Sequence, residues 1–267
     1  MASRVVKLRF PETEKLYQQF VEGIEGRILD PKTDRDVLCR DVLTDIYFPG
    51  RRWDDLMADR ALSPCSRATV ASLDPRNITL EPEYYAECDL EKYYRVKPLI
   101  WMWIMYDRSP LGQAGQLGFD FRRMLARNIF RRCGRNLKIW QYVEVSFGYN
   151  ITVGDDCVFH RYVLLDDRGE IVIGNGVSMS DYVNVYSHSH EIEDINDVSL
   201  GRTVIGDGVR LTYHSVVLSD RKIGENAMLG TMAVLTRDIE PHHIHVGIPA
   251  KSVKVKKAGL AGPKSGA

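Results

Sequence analysis

Divided into sixes, the stretch Ile205–Glu240 reads IGDGVR LTYHSV VLSDRK IGENAM LGTMAV LTRDIE. Every unit opens on an aliphatic residue: Ile205, Leu211, Val217, Ile223, Leu229 and Leu235. A helix repeats its apolar residues every 3.6 positions and a half-buried strand every two, so neither period gives six. Towards the N-terminus the same frame holds in VGDDCV and FHRYVL, from Val153 and Phe159. It holds again in IGNGVS, MSDYVN and VYSHSH, from Ile173, Met179 and Val185. The second position is often glycine (Gly154, Gly174, Gly206, Gly224, Gly230), and the fifth is usually small or β-branched. A short strand and a tight turn, three times per coil, fit this pattern. They wind the chain into a triangular prism, send the first residue of each unit inward, and put glycine where a corner needs backbone freedom.

Two interruptions break the frame, LDDRGEIV at Leu165–Val172 and a longer one from Glu191 to about Thr203. Both should leave the prism as loops, and function concentrates on loops held by a rigid scaffold. The run VYSHSHEIED, Val185–Asp194, therefore places His188 and His190 where a coil ends and the longer loop begins.

Residues 1–140 follow a different grammar and read as a mixed, mostly helical region, with the prism over 141–256 and a disordered tail over 257–267. Leu16, Phe20 and Ile24 lie four apart, as do Leu38, Val42 and Ile46, which predicts two amphipathic helices. The stretch Phe121–Gly134, FRRMLARNIFRRCG, predicts a third, with Met124, Leu125, Ile129 and Cys133 on one face and Gly134 as its cap. Its arginines 122, 123, 127, 131 and 132 read first as a solvated face, or one that pairs with acids elsewhere, before a nucleic-acid surface.

The 267 residues balance 36 Lys and Arg against 36 Asp and Glu, so no global field points to nucleic acid or a membrane. Five scattered cysteines without a Cys-x-x-Cys pair argue against a disulfide framework or zinc finger and fit a reducing cytoplasm. The most apolar window, Pro98–Tyr106, is about half of what a bilayer span requires.

The order FGYNITVG, LLDD with IVIGNGV, VYSHSHEIED, TVIGDGV, IGENAMLG, VLTRDIEP and VGIPAKSVK resembles the hexapeptide-repeat acyltransferases, nearest the maltose/galactoside O-acetyltransferase branch. The resemblance spans about residues 147–256 and implies a left-handed parallel β-helix, a homotrimer with sites between adjacent prisms, and acyl transfer from acetyl-coenzyme A. It places the catalytic histidine at His190. It puts His160 where that branch has a pocket asparagine, and Asp167 where it has an acid that could line the acceptor pocket; a corner-capping role competes for Asp167. His188 reads as a neighbour tuning the pocket. The coenzyme A groove maps to Thr231, Ala233, Thr236, Arg237 and Lys251, the two cations facing phosphates. The groove departs from the branch at Arg210–His214 and at Gly230-Thr231-Met232-Ala233, which is bulkier. The chemistry agrees, since a hydroxyl or amine acceptor needs a base within reach and neutral imidazole is suited to it.

The expected acceptor is a small molecule, sugar-like or antibiotic-like, and no metal is expected. Two other readings compete. A worn prism could serve as a non-enzymatic trimeric scaffold. The fold also carries γ-type carbonic anhydrases, but their His-x4-His spacing is missing, and His242, His243 and His245 crowd a turn near the end of the prism.

Overall fold

The computed structural model describes residues 7–257. Six helices come first: α1 (Pro11–Leu29), α2 (Arg35–Tyr47), α3 (Trp53–Ala58), α4 (Pro64–Ser72), α5 (Leu90–Arg108) and α6 (Gly115–Ile129). Short strands follow from Arg132 to Val255, stacked in three parallel ladders. The first face stacks 132–133, 151–153, 170–173, 202–205 and 222–223. The second stacks 138–139, 158–159, 178–179, 210–211, 228–229 and 243–246, and is closed by 251–255, which runs antiparallel. The third stacks 144–145, 164–166, 184–186, 216–217 and 234–235. This is the expected parallel β-solenoid, of about six coils.

All eleven residues that open the sixes are buried, from Val153 to Leu235, none more than 2% exposed. Each fills the axis of the prism, and its neighbours in sequence pair with the coils above and below. The prism starts two strands earlier than the expected boundary at 141. Cys133, Ile139 and Val145 are six apart and open it. The helix expected to run to Gly134 therefore ends at Ile129, and Cys133 belongs to the first strand. A side chain at Gly134 would sit 2.3 Å from the Gly154 backbone of the next coil, so this glycine is demanded by the stacking and not by a helix cap. The expected tail lies, beyond Lys257, outside the described residues.

The helices cover the N-terminal end of the prism and share one continuous hydrophobic core with it. In α1 the buried face is Val21, Ile24 and Ile28, with Leu16 exposed, so the expected stripe is rotated towards the later residues. In α2, Leu38 and Val42 are buried as read, with Cys39 and Leu43 beside them. The arginines of FRRMLARNIFRRCG are largely paired. Arg123 meets Asp120, Arg127 meets Glu25 and Arg131 meets Glu170. Arg122 is buried, donates Nε–H to Asp107 Oδ1 at 2.7 Å and also donates to the carbonyls of Gly112 and Ile139. Asp107 Oδ2 accepts the Tyr142 N–H at 2.6 Å, so the pair joins α5 and α6 to the first coil.

The extra residues of the prism leave at one edge, between the third and first faces. Asp167 organises the first departure. It is fully buried; Oδ1 accepts the N–H groups of Phe147 and Gly148 at 2.8 and 2.9 Å, and Oδ2 that of Asn150 at 3.1 Å. Expected as a possible wall of the acceptor pocket, it is instead the lock of this corner. Burial pushes its carboxyl up to about 6, against the pull of the three donors.

Two predictions follow from these buried charges. Replacing Asp167 with Ala removes the partner of three backbone donors and should destabilise the protein by roughly 2–5 kcal/mol at pH 7, read by denaturant unfolding. Because the folded carboxyl titrates above its unfolded value, its stabilisation is fully present below about pH 4 and lost as pH rises towards 6. The stability gap between the wild type and Asp167→Asn should therefore narrow over that window. Arg122→Ala strands the buried Asp107 carboxylate and should cost about 3–5 kcal/mol, whereas exposed Arg127→Ala should cost under about 1 kcal/mol.

Candidate active site at the coil-to-hairpin junction

The longest departure from the prism begins after Val185. Ser187 is buried and clasps the corner below it. Its Oγ–H donates to the Asp166 carbonyl at 2.7 Å and its Oγ accepts the Gly169 N–H at 3.0 Å. Its own carbonyl accepts from Gly201 N–H at 2.7 Å, closing the loop. A side chain on Gly169 would lie 2.3 Å from the carbonyls of Ser187 and Gly201, so only glycine lets the two turns meet. Between these anchors the chain forms a hairpin, His188–His190 antiparallel to Val198–Leu200. The expected open loop is thus ordered at its base, which fixes where the two histidines stand.

Along an extended strand residues two apart share a side, and the His188 and His190 rings lie 5.2 Å apart, nearly perpendicular. Their environments differ. His190 is exposed, and its Nδ1 lies 2.6 Å from the Ile195 carbonyl at the hairpin tip. Donation from Nδ1–H to that carbonyl fixes the tautomer and leaves the Nε2 lone pair free. His188 is half-buried. Its Nε2 lies 3.2 Å from Arg168 Nη1, and its Nδ1 faces Asp166 Oδ2 at 3.3 Å, a charge contact rather than a well-aligned hydrogen bond. Desolvation and the Arg168 and His190 charges press its pKa below the ordinary value, while Asp166 and Glu87 oppose them.

An open groove of about 900 Å3 runs past His190 and down the prism edge, lined among others by Tyr186, Leu200, Leu218, Arg221 and Thr236. Thr236 and Arg237 both stand on this edge and are exposed. The other expected groove residues do not gather here. Thr231 lies on the edge between the second and third faces, its Oγ1 3.4 Å from Thr212 Oγ1. Lys251 is exposed on the closing antiparallel strand. Ala233 is buried inside the prism and its carbonyl accepts the Val216 N–H, so it has nothing to offer a cofactor. His160 shares an edge with Thr231, stacks on Trp140 at 6.0 Å, and does not line the His190 groove within one chain.

Sequence reasoning missed three residues next to His188: Tyr85, Glu87 and Arg168. Arg168 is buried, donates Nε–H to Glu87 at 2.5 Å and lies 3.9 Å over the Tyr85 ring. Contacts more than 80 residues apart leave no local pattern. The one sequence signal was the run Asp166-Asp167-Arg168, three consecutive charges at a corner. His242 and His243 bond Asn226 and Ser252 respectively. No group of three or more His, Cys, Asp or Glu among the described residues is placed to hold a metal ion. No helix among them is long and apolar enough to cross a membrane.

No family model matches the chain. It is 27% identical to a dTDP-4-amino-4,6-dideoxy-D-glucose acyltransferase of Escherichia coli, over 49% of this chain and 85% of the relative. It is 26% identical to galactoside O-acetyltransferase of E. coli K12, over 50% of this chain and 68% of the relative. A solved complex of galactoside acetyltransferase with coenzyme A superposes with TM-score 0.54 at 22% identity, covering 62% of this chain and 81% of that one. A maltose O-acetyltransferase from Clostridium difficile 630 superposes with TM-score 0.56 at 25% identity, covering 64% and 91%. The homologues of this chain are hexapeptide-repeat acetyltransferases, and it is built on their prism.

Proposed function

We propose that the protein transfers an acyl group, acetyl by similarity to its homologues, from coenzyme A to a hydroxyl or amine of a small sugar-like or antibiotic-like acceptor. The observation that carries this is the state of His190. With Nδ1–H spent on the Ile195 carbonyl, Nε2 stands exposed beside a groove as a ready proton acceptor. In the reaction, His190 Nε2 takes the acceptor's proton as its oxygen or nitrogen attacks the thioester carbonyl. The tetrahedral intermediate then collapses, the C–S bond breaks, and the proton on Nε2 passes to the departing coenzyme A thiolate. His188, held between Asp166 and Arg168, has neither nitrogen free for this role.

Coenzyme A would lie along the exposed groove from His190 past Leu218 to Thr236, with Arg237 on the same edge as a cation for its phosphates. In a homotrimer the edge bearing His160 and Thr231 of one copy would stand beside the His190 edge of the next. Residues that a single chain keeps apart would then serve one site. Five free cysteines fit a cytoplasmic setting.

The test is acetyl-coenzyme A turnover against sugar, amino-sugar and antibiotic acceptors, followed by thiol release. Thiol release should require an acceptor, and His190→Ala should lower kcat by about 10²–10⁴-fold without changing the melting temperature. Release that survives this substitution would remove His190 from the role of base. Arg237→Ala should raise KM for acetyl-coenzyme A several-fold and leave kcat nearly unchanged, the mark of a contact equal in ground and transition states.

A further inference from the structure

Arg168 links the helical region to the candidate site. Arg168 leaves the corner of the prism with its guanidinium gripped by Glu87 and stacked on Tyr85, both from the segment between α4 and α5. That segment is itself tied to the prism, because Tyr149 Oη accepts the Asp89 N–H at 2.9 Å and lies 3.9 Å from Cys88 Sγ. The remaining Arg168 donor, Nη1–H, meets His188 Nε2 at 3.2 Å. Arginine keeps its proton at every accessible pH and offers only donors, so the imidazole nitrogen it faces must be the unprotonated one. The ring proton of His188 therefore sits on Nδ1, turned towards Asp166. Asp166 is held in turn by the Ser146 hydroxyl, which donates to Oδ1 at 3.0 Å.

We propose that Arg168 is a positioning residue of this site, which fixes His188 as the neutral Nδ1–H imidazole so that His190 works as a lone, correctly aimed base. The proposal rests on the reading of His190 as that base. The reason such a device is needed lies in the local charges. His188 faces Asp166, Arg168, Glu87 and His190. Without Arg168, the two carboxylates would favour a proton on Nε2, and an imidazolium would form 5.2 Å from the His190 ring. That new cation would make His190 a weaker base and would release the first residue of the hairpin from the prism. The inference gives the helical region a part in catalysis: Glu87 and Tyr85 hold Arg168, Arg168 holds His188, and His188 begins the strand that carries His190.

Full-length protein labelled with 15N-histidine tests this in two ways, with the His188 signals assigned through His188→Asn. In the wild type, His188 should appear as the Nδ1–H tautomer and stay neutral as the pH is lowered through 6. In Arg168→Met it should take up a proton over that range, and Arg168→Lys should fall between the two. In turnover assays, Arg168→Met should lower kcat about tenfold or more, with a smaller change in KM, and the acidic limb of its kcat profile should gain a second ionisation. Adding His188→Asn should abolish that second step. Wild-type His188 found as the Nε2–H tautomer or as imidazolium would overturn the proposal. So would an Arg168→Met profile scaled equally at every pH, the sign of a merely structural role. If no acceptor supports turnover, the acyltransferase reading fails by itself; the spectra still decide the proposal, because they read the tautomer and protonation of His188 directly. Should Arg168→Met not fold, Glu87→Gln, which loosens the grip without removing the arginine, should show the same changes in weaker form.

Discussion

The carboxylate of Asp167 is the contact on which the working end of this molecule depends. A prism of stacked coils satisfies its backbone only when each coil lies in register with the next. Two residues too many between Val145 and Val153, and again between Leu165 and Ile173, must go somewhere without leaving donors unpaired. Asp167 collects three of those donors in the protein interior. With the loop 147–150 pinned, Tyr149 is placed to hold residues 88 and 89. Glu87 is then presented to Arg168, and Arg168 to His188. Three consecutive charged residues thus divide the work: Asp167 turns inward to close the corner, and Asp166 and Arg168 flank the imidazole. Burying three charges side by side would be prohibitive if they were unpaired. Here each meets donors or an opposite charge, so the corner has essentially one low-energy arrangement.

The prism was legible because its signal is redundant. Eleven positions answer to one rule, and each is tested by its own burial. The first coil was lost for a local reason. Its opening residue, Cys133, follows an arginine-rich amphipathic run and falls four after Ile129, so helical spacing absorbs it. Only continuing the sixes through Ile139 and Val145 separates them. In the helical region the sequence located α1 and α2 but misplaced the buried face of α1. Four-residue spacing admits several faces, and tertiary packing against α6 chose the one with Val21 and Ile28.

The site was legible in its position and not in its support. The junction that carries His188 and His190 could be found because a regular period stops there; the choice of His190 between the two rests on the family resemblance. Its hydrogen bond to Ile195 depends on the hairpin tip folding back, and the clasp of Ser187, Gly169 and Gly201 joins two interruptions that look unrelated in sequence. Ala233 illustrates the opposite error. Small residues near a groove suggest room for a ligand, but in a hexapeptide coil the fifth position points inward, as buried Ala233 does.

The edges of the prism show how the same backbone can be met by different chemistry. Between the first and second faces, the left-handed turn residues are Asn136, Asp156, Gly176, Gly208, Asn226 and His242, mostly types that tolerate positive φ. Between the second and third faces, the equivalent positions are Tyr142, Tyr162, Tyr182, His214 and Met232, with φ from 55° to 63°. A bulky residue in this conformation is strained by roughly 1–2 kcal/mol. The compensation is visible one coil away. The rings of Tyr142, Tyr162, Tyr182 and His214 stack in series at 5.1, 4.7 and 4.6 Å, nearly parallel. Coils spaced at the width of a β-ladder bring equivalent side chains to within stacking distance, and each such pair returns about 0.5–1.5 kcal/mol. The strain and its offset are therefore of the same size, but they differ in kind. Strain acts on each turn alone, whereas stacking exists only between turns that are in register. An edge built this way adds little to net stability and penalises slippage of one coil against the next, which would misplace the corner that Asp167 closes.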